Sequence, residues 1–140
     1  MHPKFESTIS LFQNGQLNKA KELCLEILAD EPKNFEILHL LGIIAFQEKN
    51  YDVSIEFIKK AIEINPKQAE ANNNLGIAHN EIKKFNEAIE YFNAAILINP
   101  NFADAYNNLG IALKNTGKVD SAIYNWKKSI EINPNNSHTN

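Results

Sequence analysis

Arginine is absent: all 14 basic side chains among the 140 residues are lysine, and the formal net charge is −3. The planar fork that pairs with phosphates and guanine edges is therefore missing, which weakens a nucleic-acid reading, and no nucleic-acid partner is expected. There is one cysteine, Cys24, so no intramolecular disulfide can form. The five glycines are isolated and make no phosphate-cradling loop. No run of 18 apolar residues occurs, which rules out membrane insertion by a spanning helix. Met1 to Ser10 lacks a basic-then-apolar signal segment, so a cytoplasmic location is expected. The four histidines, His2, His39, His79 and His138, form no His-x-x-x-His pair and none lies near Cys24. No metal or cofactor is expected. The acidic residues fall at helix-surface spacing, with no second feature marking a catalytic pair, and the chain is not expected to be an enzyme.

What the sequence does contain is a period. Pro32, Pro66, Pro100 and Pro134 stand 34 residues apart. Glu63-Ile64-Asn65-Pro66 returns as Leu97-Ile98-Asn99-Pro100 and again as Glu131-Ile132-Asn133-Pro134. Residues 66–99 laid on 100–133 match at 15 of 34 positions without a gap. Repetition at this period marks stacked supersecondary units.

Within a period the apolar spacing is helical. Ala71, Leu75, Ala78 and Ile82 form one stripe, and Phe85, Ala88, Ile89, Phe92, Ala95 and Ile96 a second. Only Lys83-Lys84-Phe85-Asn86 separates them, so each period reads as two antiparallel helices. First helices are expected near 3–13, 35–48, 69–81 and 103–115, and second helices near 18–30, 52–64, 86–98 and 120–132. Asn18, Asp52, Asn86 and Asp120 share one column and are expected to cap the second helices. Gly15 and Gly117 stand where a first helix ends left-handed. Lys49 and Lys83 hold that column in the middle periods, which leaves those turns less well specified. The Asn-Pro and Glu-Pro steps end the second helices, because the residue before proline is driven out of the helical region.

These columns resemble the tetratricopeptide repeat, whose period is also 34. Leu41-Gly42, Leu75-Gly76 and Leu109-Gly110 stand where that family places Leu-Gly. Ala20, Ser54, Ala88 and Ala122 stand where it places a small residue at the helix crossing. Cys24, Ile58, Phe92 and Trp126 follow as the larger residue, then Ile27, Ala61, Ala95 and Ser129 as a second small one. The first period departs, with Ser7-Thr8 for Leu-Gly and Ile27 for alanine, as terminal repeats tend to. The resemblance implies an all-α fold, a right-handed α-solenoid of four helix-turn-helix units with about eight helices. Its units are 1–34, 35–68, 69–102 and 103–136, with 137–140 a disordered tail and no C-terminal capping helix.

The resemblance further implies that first helices line a concave groove. Three sets of residues then become candidates. Ile9, Ile43, Ile77 and Ile111 form an isoleucine ladder, which serves either as an apolar groove stripe or as packing under the adjacent helix. Asn73-Asn74 and Asn107-Asn108 repeat an amide pair, with His39 on the same side in the second repeat. An amide donates and accepts, and so grips a peptide backbone regardless of its side chains. Asn74 and Asn108 look like the asparagine ladder in the tetratricopeptide superhelix of O-linked N-acetylglucosamine transferase, which Glu6 and Leu40 break in the first two units. The competing explanation is composition, since the chain carries 21 Asn and 18 Ile. Glu36, Glu70 and Asp104 make an acidic rim that also complements helix dipoles. The cations that clamp a C-terminal carboxylate in co-chaperone members are absent from these columns.

The expected function is a protein-interaction scaffold holding a peptide or protein segment in the groove. Two alternatives remain open. One is a self-assembling module using an open repeat end, with Ile123, Trp126 and Ile130 as the contact and a homo-oligomer as the result. The other is a substrate-recruiting N-terminal module of a larger enzyme, since similar bacterial arrays precede glycosyltransferase-like or sulfotransferase domains.

Overall fold

A computed structural model describes residues 1–135. The element order is α1 (Phe5–Gln13), α2 (Leu17–Asp30), α3 (Phe35–Gln47), α4 (Tyr51–Ile64), α5 (Ala69–Glu81), α6 (Phe85–Ile98), α7 (Ala103–Asn115) and α8 (Val119–Ile132). No strand occurs among the described residues. The all-α expectation holds, and the helix bounds fall within two residues of those read from the period. The expected tail at 137–140, and residue 136 of the fourth expected repeat, lie outside the described residues. The chain forms two compact units, one over Met1–Pro66 and one from Lys67 onward.

The second helices begin one residue earlier than expected, and this overturns the capping assignment. The residues before them are Gln16, Asn50, Lys84 and Lys118, and none makes a side-chain cap bond. Asn18, Asp52, Asn86 and Asp120 sit inside the first turn instead. There Asp52 and Asp120 oppose the positive end of the helix dipole. The reason lies in the preceding turn, which closes in the same way four times. Residues 15, 49, 83 and 117 are left-handed, at φ 77°, 62°, 63° and 81°. The next N–H reaches back to the helix, as in Gln16 N to Leu11 O (2.9 Å), Asn50 N to Ala45 O (2.8 Å), Lys84 N to His79 O (2.9 Å) and Lys118 N to Leu113 O (2.9 Å). This six-to-one closure fixes where the next helix starts without help from a cap side chain.

Lys49 and Lys83 thus take the same turn as Gly15 and Gly117, at a steric cost of about 1–2 kcal/mol each for a residue with a Cβ. Both are exposed. Lys49→Gly and Lys83→Gly are each expected to stabilise the protein by about 0.5–1 kcal/mol, once the larger chain entropy of glycine is set against the relieved strain. Thermal melts followed by circular dichroism check this. No rise in either melting temperature contradicts it.

The proline rule holds as expected. Asn65, Asn99 and Asn133 end their helices in extended backbone, Asn65 at φ −136° and ψ 90°, and Glu31 leaves the helical region at φ −131° and ψ 78°. Two of these asparagines also turn the chain onward: Asn99 Oδ1 accepts from Asn101 N (3.1 Å) and Asn133 Oδ1 from Asn135 N (3.2 Å).

In the first unit the core joins Ala20, Cys24 and Ile27 of α2 to Ile37, Leu40, Leu41 and Ile44 of α3. Burial pushes the Cys24 thiol up to about 11, so it is held as an inert apolar group. In the second unit Ala88 and Phe92 of α6 and Ala122 of α8 pack with Leu109, Ala112 and Leu113 of α7. In three of the four hairpins a glycine on the first helix faces a large side chain on the second. A Cβ added at Gly76 would stand 2.5 Å from Phe92 Cε1, and at Gly42 and Gly110 it would meet Ile58 and Trp126 as severely. The first unit's opening hairpin trades these sizes: buried Thr8 stands in the glycine column and Cys24 in the large one. Ser54 fills a column otherwise held by alanine, and its buried Oγ donates to Gly42 O (2.7 Å).

Candidate functional site

The second unit carries an open concave pocket of about 610 Å³ between the first turns of α5 and α7. From α5 come Ala69, Glu70, Asn73, Asn74 and Ile77; from α7, Asp104, Asn107 and Asn108; from the connection between α6 and α7, Asn99 and Phe102. The i, i+4, i+7 spacing that puts Glu70, Asn74 and Ile77 on one helical face is repeated 34 residues later by Asp104, Asn108 and Ile111. Five of the eight expected groove residues therefore meet here. Ile111 is half-buried on α7 but does not line the pocket. His39 and Ile43 lie half-buried on α3 of the first unit, the His39 ring 5.7 Å from that of Phe35.

The amide pairs divide their work. Asn73 and Asn107 are the inner members, 5% and 6% exposed, while Asn74 and Asn108 are half-exposed. Asn108 Nδ2 donates to Asn73 Oδ1 (3.1 Å), a bond that links α7 to α5 across the pocket floor. The Trp126 indole Nε1 donates to the Asn107 backbone carbonyl (3.3 Å), which ties α8 to the same turn of α7. Asn107 Oδ1 is buried and has no hydrogen-bond partner among the described residues. Leu40, the residue in the Asn74 column of the first unit, is 6% exposed and belongs to the core. The amide arrangement therefore occurs in the second unit alone.

All four residues of the isoleucine ladder are half-buried. Ile9 packs on the core of the first unit and Ile77 on that of the second, so the ladder is partly packing and partly surface. Asn99 and Phe102 were not foreseen. Asn99 is visible in the sequence only as the residue before a proline. Phe102 shares a column with Asn34 and Gln68, a column of helix N-caps rather than of groove residues.

The three residues expected for self-association take different positions on α8. Trp126 is half-exposed, and its ring also lies over Gly110, packs on the core cluster and donates to α7. It occupies the column of Ile58 and Phe92 and does their work. Ile123 and Ile130 are exposed, at 41% and 37%, and Val119 continues their row. Their equivalents on α6, Ile89 and Ile96, pack on the core that includes α7.

Among the described residues no group of three His, Cys, Asp or Glu side chains converges to hold a metal ion. No helix among them is long and apolar enough to cross a membrane.

Comparisons with known proteins agree with the repeat fold. Sequence profiles of the tetratricopeptide repeat match residues 11–75, 69–102 and 103–136. A search of curated proteins returns no match. Among solved structures, a crystal structure of MamA is 31% identical, covers 91% of this chain and 74% of its own, and superposes with a TM-score of 0.86. The first tetratricopeptide repeat region of Spaghetti (RPAP3), solved with the HSP90 peptide SRMEEVD, is 26% identical over 75% of this chain and 83% of its own, with a TM-score of 0.74. YrrB, described as a tetratricopeptide protein with an unusual peptide-binding site, shares the fold at 20% identity and a TM-score of 0.87, over 96% of this chain and 70% of its own. With its 34-residue period, its eight helices among the described residues, three of whose four pairs cross at a glycine, and profile matches that run from residue 11 to 136, the chain belongs to the tetratricopeptide repeat family.

Proposed function

We propose that the protein is a non-catalytic interaction module that holds an extended peptide segment of a partner protein in the pocket between α5 and α7. The observation that carries this reading is the Asn108–Asn73 bond at the pocket floor, with Asn74 half-exposed beside it. Primary amides fixed on adjacent first helices offer paired donors and acceptors to a backbone, and Ile77 adds an apolar contact. The RPAP3 repeat region supports the reading, since it was solved with a peptide bound.

Asn74→Ala combined with Asn108→Ala is expected to weaken binding of a captured partner peptide about tenfold or more, at about 1 kcal/mol for each hydrogen-bonding side chain lost. Isothermal titration measures the affinity, and a melt confirms that the fold is kept. Unchanged affinity contradicts the reading.

A second reading rests on α8. Ile123 and Ile130 expose an apolar row in the positions that α6 uses to receive α7, and a second copy of the chain is the occupant with matching repeat geometry. Light scattering over a concentration series is then expected to show a mass above the monomer that Ile123→Lys with Ile130→Lys returns to the monomer value. A monomeric parent protein at high concentration removes this reading.

A further inference from the structure

We propose that the pocket between α5 and α7 selects peptides bearing lysine or arginine and discriminates against acidic ones. The inference rests on the peptide-binding reading above and specifies the charge of the ligand.

Two charged residues line the pocket, Glu70 and Asp104, and both are exposed carboxylates in the first turns of their helices. Among the described residues no lysine or histidine lines it. A carboxylate at a helix start has a sufficient structural reason in the dipole, so the acidic pair alone does not define a ligand. Asn107 supplies the independent observation. It lines the same pocket, its side chain is about as buried as that of a core residue (6% exposed), and its Oδ1 has no donor among the described residues. An amide oxygen can only accept. Asn73 Oδ1 is already committed to Asn108, so it cannot stand in as the group that a ligand satisfies.

The pocket therefore combines two negative charges, a buried acceptor lacking a donor, and no cation. The complementary ligand is rich in N–H donors and positively charged, which describes an ammonium or guanidinium side chain presented on an extended backbone. An acidic segment meets like charge at Glu70 and Asp104, and its side chains bring no donor to Asn107 Oδ1.

The test uses three fluorescently labelled, amidated peptides of equal length, in which alanine alternates with lysine, with glutamine or with glutamate. Anisotropy titrations are run on the full chain, on Glu70→Gln/Asp104→Asn, and on Glu22→Gln/Glu63→Gln, which removes the same charge outside the pocket. The expected result is that the lysine peptide binds about tenfold tighter than the glutamine peptide, with the glutamate peptide weakest. The pocket variant brings the lysine peptide to the glutamine level, while the outside variant leaves the order intact. The proposal is overturned if the glutamine or glutamate peptide binds as tightly as the lysine one, or if the outside variant has the same effect as the pocket variant. Should all three bind equally and all lose affinity in Asn74→Ala/Asn108→Ala, the charge inference fails while the peptide-binding reading stands. Should none bind, both fall.

Discussion

Gly76→Ala is expected to destabilise the second unit by about 2 kcal/mol, although alanine is the better helix former by about 1 kcal/mol. Gly76 lies inside α5, where an exposed glycine replaced by alanine gains stability. The sign reverses here because the new Cβ would stand 2.5, 2.6 and 2.9 Å from three ring atoms of Phe92. The ring cannot swing aside, since Phe92 is fully buried between Ala88 and Ala95 on its own helix and the residues of α7. Either the hairpin opens by a fraction of an ångström along its length or the ring leaves its rotamer. Overpacking of this kind typically costs 1–3 kcal/mol, and the melting temperature should fall by roughly 5–10 °C. Phe92→Leu offers the compensation. Alone it leaves a small cavity; with Gly76→Ala it makes room for the methyl group. The double variant is expected to be more stable than the sum of the two single losses predicts, with a coupling of about 1 kcal/mol or more. Additive losses in a denaturant-based double-mutant cycle would show that the two residues do not compete for the same space.

Trp126→Ala carries the other large effect, a loss of about 2–4 kcal/mol, scaled down from a fully buried tryptophan because the side chain is half-exposed. The substitution removes the ring that fills the space over Gly110 and leaves the Asn107 carbonyl without its indole donor. Ile123→Ser and Ile130→Ser, on the exposed side of the same helix, should each cost below about 1 kcal/mol. The contrast separates the two roles first assigned to one surface. If Trp126→Ala leaves the melt unchanged and alters only the mass in solution, the tryptophan is an interface residue and its placement over Gly110 is wrong. The Asn107 contact also ties this prediction to the pocket. A milder Trp126→Phe keeps most of the ring but loses the N–H, and should shift the α7 turn that presents Asn107 and Asn108 more than it shifts stability.

The period made most of the fold legible. Proline fixed the ends of the second helices, since each preceding residue is driven out of the helical region, and the Leu-Gly columns fixed the crossings. The capping column was misread because Asx side chains at the start of a helix satisfy two physical roles one residue apart, an N-cap or a first-turn charge. Only the left-handed turn at 15, 49, 83 and 117 decides between them. That turn was recognisable at Gly15 and Gly117 but hidden at Lys49 and Lys83, where tertiary closure overrides residue preference. Trp126 carries a related ambiguity. An aromatic residue on a terminal helix satisfies the pattern of an interface anchor and of a crossing partner alike, and the column shared with Ile58 and Phe92 was the better guide.

The pocket was legible as a list of facing positions and not as a division of labour. Asn73-Asn74 and Asn107-Asn108 read as two equivalent pairs. Packing makes one member of each pair inner and one outer, and joins them across repeats through Asn108 and Asn73. Asn99 and Phe102 entered from a connection whose sequence carried other signals.

The central claim is that a peptide occupies the face between α5 and α7, and chemical-shift mapping tests it most directly. The uniformly ¹⁵N-labelled protein is titrated with the alternating alanine–lysine peptide while backbone and asparagine side-chain amides are followed. The account predicts that the largest changes fall on Glu70, Asn73, Asn74, Asp104, Asn107 and Asn108, with the side-chain amides of Asn74 and Asn108 among them. Changes concentrated on Ile123 and Ile130 of α8, or on α2 and α4, would contradict it.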